Sequence, residues 1–317
     1  MKSNILIIKH GSFGDLIQIN GCLRDIRNNH PDANISLLTT PPYKKLMKQC
    51  PFLDEIIIDQ RKPRWNLIYL NQLKSKLIKY NFQKVYDLQN SARTEFYRNN
   101  ILKINNWSSS RSILYDNEKK EDFDKKSILE RFSIQLERSG VKTEFTDTPQ
   151  IEWMVDKNFE SGLEENTYIV IFPFCSKKHP QKRWPYYKEL IHIINEQSLQ
   201  VDVVIIPGPG EISQARDFDA KLIMNHEEPT DFFQLAKILK DSLFVISNDT
   251  GPAHLAAHLG CKGLSIFGSH TSPEKVSIIT SNFQSITRAD LSTLPAKEVF
   301  DKIHSQLQID GINKVRR

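Results

Sequence analysis

The sequence predicts two α/β domains, each a parallel sheet flanked by helices. Three observations carry this. At 317 residues the chain exceeds what one hydrophobic core usually holds. Short apolar runs alternate with segments of helical spacing, the pattern of βαβ units. The alternation also occurs twice, on either side of the polar stretch TDTPQIEWMVD at 146–156. That stretch reads as a linker between a domain of 1–150 and one of 151–317, with a cleft between the two.

In the first domain, NILIIKH at 4–10 is a strand that ends in the loop GSFGD. Residues 16–29 have helical spacing and stop before His30-Pro31. ISLLTT at 35–40, EIIIDQ at 55–60 and KVYDLQ at 84–89 read as strands, with the helix LIYLNQLKSKLIKYN before the last. Residues 105–126, with NNWSSSRS and DNEKKEDFDKK, read as a loop or mobile region, and helical spacing returns at 127–139. The second series runs YIVIFPF at 168–174, YKELIHIINEQ at 187–197, VDVVIIPG at 201–208, DFFQLAKILKD at 231–241, LFVISND at 243–249, LAAHLG at 255–260 and KGLSIFG at 262–268.

Composition narrows the class. With 39% hydrophobic and 26% charged residues the chain reads as a soluble globular protein. No apolar run approaches the ~20 residues of a membrane helix, and ILII before Lys9 and His10 reads as a strand rather than a signal peptide. Cys22, Cys50, Cys175 and Cys261 show no CxxC spacing, which fits a reduced cytoplasmic compartment and not a zinc site. Charge is uneven. Residues 1–150 carry 25 Lys+Arg against 17 Asp+Glu, or +8; the remainder carries 18 against 21, or −3. The first half therefore suits an anionic partner or is a solvated basic face, with RKPRW at 61–65 and lysines 74, 76 and 79 as its densest part. Aromatic interleaving of the RNA-binding kind is lacking, so nucleic acid is not expected as a partner.

Four stretches carry candidate chemistry, each just past a strand, where parallel sheets bind ligands. SNDTGPAHLAAHL at 247–259 places Gly251 and Pro252 at the first turn of a helix, whose N–H groups and positive end suit an anion. Thr250 adds a hydroxyl. Asp249 is out of place in an anion site unless the ligand also offers hydroxyls, as a phosphate beside a sugar does. The alternative is that Asn248, Asp249 and Thr250 only cap the helix. KHGSFGD at 9–15 matches neither GxGxxG nor GxxxxGK[ST], so a dinucleotide or P-loop site is not expected. Its Asp15 either takes a proton from an acceptor hydroxyl or caps the helix from Leu16. QKRWPYYKEL at 181–190 holds Lys182 at a helix start, where it can neutralise a diphosphate leaving group. PGPGE at 207–211 sets Glu211 after a turn, where a carboxylate can grip ribose hydroxyls.

In their order, GSFGD, KRWP, PGPGE and SNDTGPAHLAAHLG resemble glycosyltransferase family 9, the bacterial lipopolysaccharide heptosyltransferases. DTGPAHLAAHLG is the most specific part, and DLQNSARTE at 87–95 resembles the family's Asp-Leu-Gln segment. The resemblance implies the GT-B architecture, two Rossmann-like domains with parallel sheets facing across a cleft, acceptor in the N-terminal and donor in the C-terminal one. It implies Asp15 as general base, Lys182 on the donor diphosphate and sugar, Glu211 on the ribose, Asp249 on the transferred sugar, Thr250 and Gly251 on phosphate, and His254 near the diphosphate. Ser12, Gly14, Arg61, Arg64 and Arg93 become acceptor-side candidates. The implied activity is inverting, metal-independent transfer of heptose from ADP-heptose to an anionic glycolipid, lipid A–Kdo or inner-core lipopolysaccharide. The implied location is the cytoplasm, in peripheral contact with the inner membrane. Lys177 and Lys178 stand where some members carry small hydroxyl residues, and Thr230 where some place a larger apolar residue on adenine. Another nucleotide sugar, or a binding module without turnover, are the alternatives.

Overall fold

The computed structural model describes residues 2–197 and 201–309. The chain divides into two compact units, Met1–Trp153 and Met154–Arg317. In the first, five strands pair in parallel in the order β3-β2-β1-β4-β5. They are β1 (Asn4–Ile8), β2 (Asn34–Thr39), β3 (Glu55–Ile58), β4 (Lys84–Asp87) and β5 (Trp107–Ser108). In the second unit, six parallel strands take the order β11-β10-β9-β6-β7-β8. These are β6 (Tyr168–Phe172), β7 (Asp202–Ile205), β8 (Lys221–Leu222), β9 (Phe244–Asn248), β10 (Gly263–Phe267) and β11 (Phe283–Thr287).

Both orders are those of a Rossmann-like sheet, and both reverse direction at one point. The reversal falls between β1 and β4 in the first unit and between β6 and β9 in the second. The loops leaving those four strands begin at Lys9, Leu88, Pro173 and Asp249, so three of the four candidate stretches lie at reversal points.

The central strands form because both their faces are covered. β6, β9 and β10 are buried along their full length and read as nearly unbroken apolar runs. In the first unit Leu6, Ile8, Leu38, Ile57 and Val85 pack against Tyr69, Leu70, Leu73 and Leu77 of the helix Leu67–Ile78. In the second, Ile169, Ile171, Ile205 and Ile246 share a core with Trp184, Leu190 and Ile194. Val299, Phe300 and Ile303 of the helix Ala296–Ile309 join that core.

Several expectations are corrected. The single helix expected over 16–29 is two, Phe13–Gln18 and Asn20–Asn29, joined at Ile19. Residues 105–126 are not a bare loop. They hold β5, with Trp107 buried at the sheet edge, and the helix Lys120–Lys125, with Phe123 buried. The stretch 146–156, expected as the linker, contains the division between the units, after Trp153, and its first part is tied to the first unit. Asp25, on the second helix, accepts from the N–H groups of Phe145 and Thr146, and Trp153 donates through Nε1 to Asn20 at 2.9 Å. Among the described residues no helix is long and apolar enough to cross a membrane.

Candidate active site

In the second unit the stretch after β9 is built by division of labour. Asn248 turns inward: its Oδ1 accepts from the Trp184 N–H at 3.0 Å, and its Nδ2 donates to the Phe172 and Phe174 carbonyls. This ties the end of β9 to the end of β6 and to the start of the KRWP segment. Trp184, fully buried, adds an indole hydrogen bond to the Leu294 carbonyl at 2.9 Å. Thr250 is the N-cap residue of the helix Gly251–His258, but its side chain does not cap it; its Oγ1 lies 3.0 Å from Ser247 Oγ. Pro252 occupies the first turn, where a missing N–H costs nothing. Neither Asn248, Asp249 nor Thr250 is consumed in capping, so the helix start keeps its N–H groups for a ligand.

Asp249 explains itself by its partners. It is 5% exposed. Lys182, at the end of the 3₁₀ turn Pro180–Lys182, places Nζ 2.5 Å from Oδ2. His270 Nε2 lies 3.0 Å from the same oxygen, and His254 Nε2 lies 3.8 Å from Oδ1, an ion-pair separation rather than a hydrogen bond. Burial pushes the Asp249 carboxyl up, but His254, Lys182 and His270 together outweigh it and hold the group well below the usual carboxylate range. It stays an anion, available to accept from a hydroxyl. The Nδ1 atoms of His254 and His270 are buried and lack a hydrogen-bond partner among the described residues.

Beside this cluster lies a cavity of about 200 Å³, lined by Phe174, Cys175, Ser176, Glu211, Thr250 and Gly251 among others. It brings Glu211 to the start of the helix Gly251–His258. Glu211 follows β7 and turns back to accept from the Gly208 N–H at 2.8 Å. Burial raises its carboxyl above the ordinary 4.5, against the lowering effect of that hydrogen bond and of Arg183. One carboxylate, two hydroxyl side chains and the helix start thus line a pocket with aromatic walls, and Lys182 stands on the neighbouring Asp249.

In the first unit Asp15 lies inside its helix, at the third position, rather than before Leu16. Oδ2 accepts from the Ser12 N–H at 2.6 Å and from the Ser12 hydroxyl at 2.9 Å. The capping reading thus holds in part, and Gly14 is buried in the same turn. Oδ1 faces the Lys9 ammonium at 3.1 Å. Lys9 is buried, donates to the Leu88 carbonyl at 3.2 Å and sits over the Phe132 ring. Burial raises the Asp15 carboxyl, but Lys9 and Ser12 more than offset it and leave the group below its ordinary 3.8. Asp15 is therefore an ionised carboxylate with about a third of its side chain exposed.

Arg93 and the RKPRW segment meet at a buried carboxylate. Asp59, at the end of β3, accepts from Tyr97 Oη at 2.6 Å and from Tyr69 Oη, and lies 2.9 Å from His10 Nε2. Arg93 donates to Tyr97 Oη and to the Lys62 carbonyl, both at 2.6 Å. It therefore clamps the segment, while Arg61 and Arg64 stay exposed. His270 and the network of His10, Asp59 and Tyr97 were not found from the sequence. His270 stands outside the motifs, in GSHTSPE, and Asp59 sits in a strand that reads as core.

The model of glycosyltransferase family 9 (heptosyltransferase) matches residues 70–304. No curated protein matches in sequence. Among solved structures, the chain is similar to the E. coli heptosyltransferase WaaC with ADP-2-deoxy-2-fluoro heptose, with a TM-score of 0.72 at 16% identity over 95% of this chain and 99% of that one. E. coli ADP-heptose lps heptosyltransferase II gives 0.72 at 16% identity, over 98% and 100%. A family 9 glycosyl transferase from Veillonella parvula gives 0.74 at 18%, over 97% of each chain. The fold is GT-B, and the family model spans most of the chain, so this protein belongs to glycosyltransferase family 9, the heptosyltransferases, and is an enzyme of glycosyl transfer.

Proposed function

We propose that the protein is an inverting, metal-independent transferase that moves heptose from ADP-heptose to an anionic glycolipid, the inner core of lipopolysaccharide, working in the cytoplasm in peripheral contact with the inner membrane. The observation that carries the donor half is the cluster of Lys182, Asp249 and the uncapped helix start beside a cavity that holds Glu211. That set suits a nucleoside diphosphate joined to a sugar: Glu211 for the ribose, helix N–H groups, Thr250, Gly251 and Lys182 for the diphosphate, Asp249 for a sugar hydroxyl. His254 flanks the diphosphate. The ADP-heptose analogue held by WaaC supports the choice of nucleotide and sugar.

Asp15 takes the proton of an acceptor hydroxyl as that oxygen bonds to the anomeric carbon. The bond from that carbon to the diphosphate oxygen breaks on the opposite face, which inverts the centre. The charge on the departing ADP is met by Lys182 and the helix N–H groups, fixed dipoles and a fixed cation aimed where charge develops. Ser12, Gly14, Arg61, Arg64 and Arg93 are assigned to the acceptor side, where the basic excess of residues 1–150 suits phosphate and carboxylate groups.

The test is a thermal-shift screen of nucleotide sugars followed by a transfer assay. ADP-heptose at 100 times its Kd should add ~2.7 kcal/mol of stability, and transfer should persist in EDTA. Stabilisation by a uridine or guanosine sugar instead would select another donor. Binding without transfer to any inner-core acceptor would leave a binding module.

A further inference from the structure

Residues 60–86 contain seven Lys and Arg and no Asp or Glu. Within them the structure exposes three large apolar side chains close together in sequence: Trp65 at 82%, Leu67 at 68% and Ile68 at 75%. Soluble proteins seldom leave such a group facing water unless it meets something. The group is held in place. Arg61 N–H donates to Asp59 at 2.7 Å, Arg93 grips the Lys62 carbonyl at 2.6 Å, and the Asn66 N–H donates to the Pro63 carbonyl at 3.0 Å. Asn66 then caps the helix Leu67–Ile78 by accepting from the Tyr69 N–H. That helix is anchored by Tyr69, Leu70, Leu73 and Leu77, so its other side carries Ile68, Lys76 and Lys79 outward. Ile68, Ser75, Lys76, Lys79 and Tyr80 line a groove of about 760 Å³ on it.

We infer that Trp65, Leu67 and Ile68 form a wedge that enters the headgroup region of an anionic bilayer, with Arg61, Lys62, Arg64, Lys76 and Lys79 seated on lipid phosphates. The wedge deepens the membrane contact proposed above by naming the surface that makes it. The chemistry selects the occupant. An indole and two aliphatic side chains flanked by cations match the interface between acyl chains and anionic headgroups. A second copy of the chain fits badly, because a two-fold contact would set this basic segment, which holds no Asp or Glu, against itself.

The experiment measures vesicle binding with neither donor nor acceptor present, so its outcome is independent of the transfer reaction. The full chain is sedimented with phosphatidylglycerol vesicles and with phosphatidylcholine vesicles at low and high salt. Tryptophan fluorescence serves as a second signal, read as the difference from a W65F variant, since Trp107 and Trp184 are buried and Trp153 is half-buried and held by Asn20. Wild type should bind the anionic vesicles, shift its emission to the blue and be partly released by salt. The variant W65S/L67S/I68S should bind at least about tenfold more weakly and show no shift, with its melting temperature and ADP-heptose affinity intact. R61E/K62E/R64E should lose binding to anionic vesicles while keeping its fold. Three results would overturn the inference: equal partition of wild type and the apolar variant, equal binding to both lipids, or self-association that the apolar variant abolishes.

Discussion

Asp15→Asn is the most informative single change, because the structure gives it two separable effects. The substitution removes the proposed base, for which a loss of about 10²–10⁴ in kcat is expected. It also removes the anion beside Lys9, whose ammonium is 3.1 Å away and whose side chain is 4% exposed. Breaking a fully buried pair by removing one partner costs about 3–5 kcal/mol. Asp15 is 36% exposed, so water screens part of this, and about 1–3 kcal/mol is the expected loss. Adding Lys9→Met removes the stranded charge. The double variant should therefore recover most of the lost stability, read by urea denaturation at constant m, and none of the lost rate, read with saturating donor and acceptor. Donor affinity should change little in either, since the donor contacts assigned above come from the second unit. Recovery of rate with stability would show that Asp15 acts through the fold and that the base is another group. The pH dependence has a definite sign. The native value of Asp15 lies below the ordinary 3.8, so its ionised form stabilises the fold above that pH. The contribution disappears as pH falls through the lower native value, and wild type should lose stability on acidification that the double variant does not lose.

Three further predictions concern the second unit. Lys182→Ala should weaken nucleotide-sugar binding by about 10–100-fold, the range of a charge-assisted hydrogen bond, and lower turnover as well; unchanged affinity by calorimetry would remove Lys182 from the donor site. Glu211→Gln should bind the nucleotide poorly yet melt higher than wild type at neutral pH, because the native value of Glu211 is raised above 4.5 and its charged form costs stability as pH rises through that value. The difference in melting temperature should vanish below pH 4.5, and a difference constant with pH would mean that the gain is not electrostatic. His270→Ala should lower donor kcat/KM by about tenfold, as for one lost hydrogen bond to a charged group, with partial rescue in His270→Asn, which keeps an N–H donor; identical rates in the two variants would show that the ring does not hold Asp249.

What could be read from the sequence divides along physical lines. β1, β2, β6, β9 and β10 were legible because central parallel strands, covered on both faces, become unbroken apolar runs. Three of the four edge strands were not: β5 and β8 are two residues each, and β11, FQSIT, is half exposed and polar, whereas the fourth, β3, was read from its apolar EIII. The candidate residues of the proposed site stood out as motifs, since a Gly-Pro turn at a helix start has a local backbone reason to exist. Their partnerships were not. Lys182 and Asp249 are 67 positions apart, and only the strand order that sets β6 beside β9 brings them within 2.5 Å. That contact answers the objection raised by Asp249 itself. A bare carboxylate at a helix N-terminus would repel a diphosphate. Here it is paired in advance with a lysine and flanked by two histidines, so the cluster carries no uncompensated negative charge toward the cavity. On the function proposed above, Lys182 serves a phosphate while His254 and His270, beside the carboxylate, keep Asp249 an oriented acceptor for a sugar hydroxyl. That proposal lets a carboxylate and a diphosphate lie side by side, because Asp249 has partners other than Lys182.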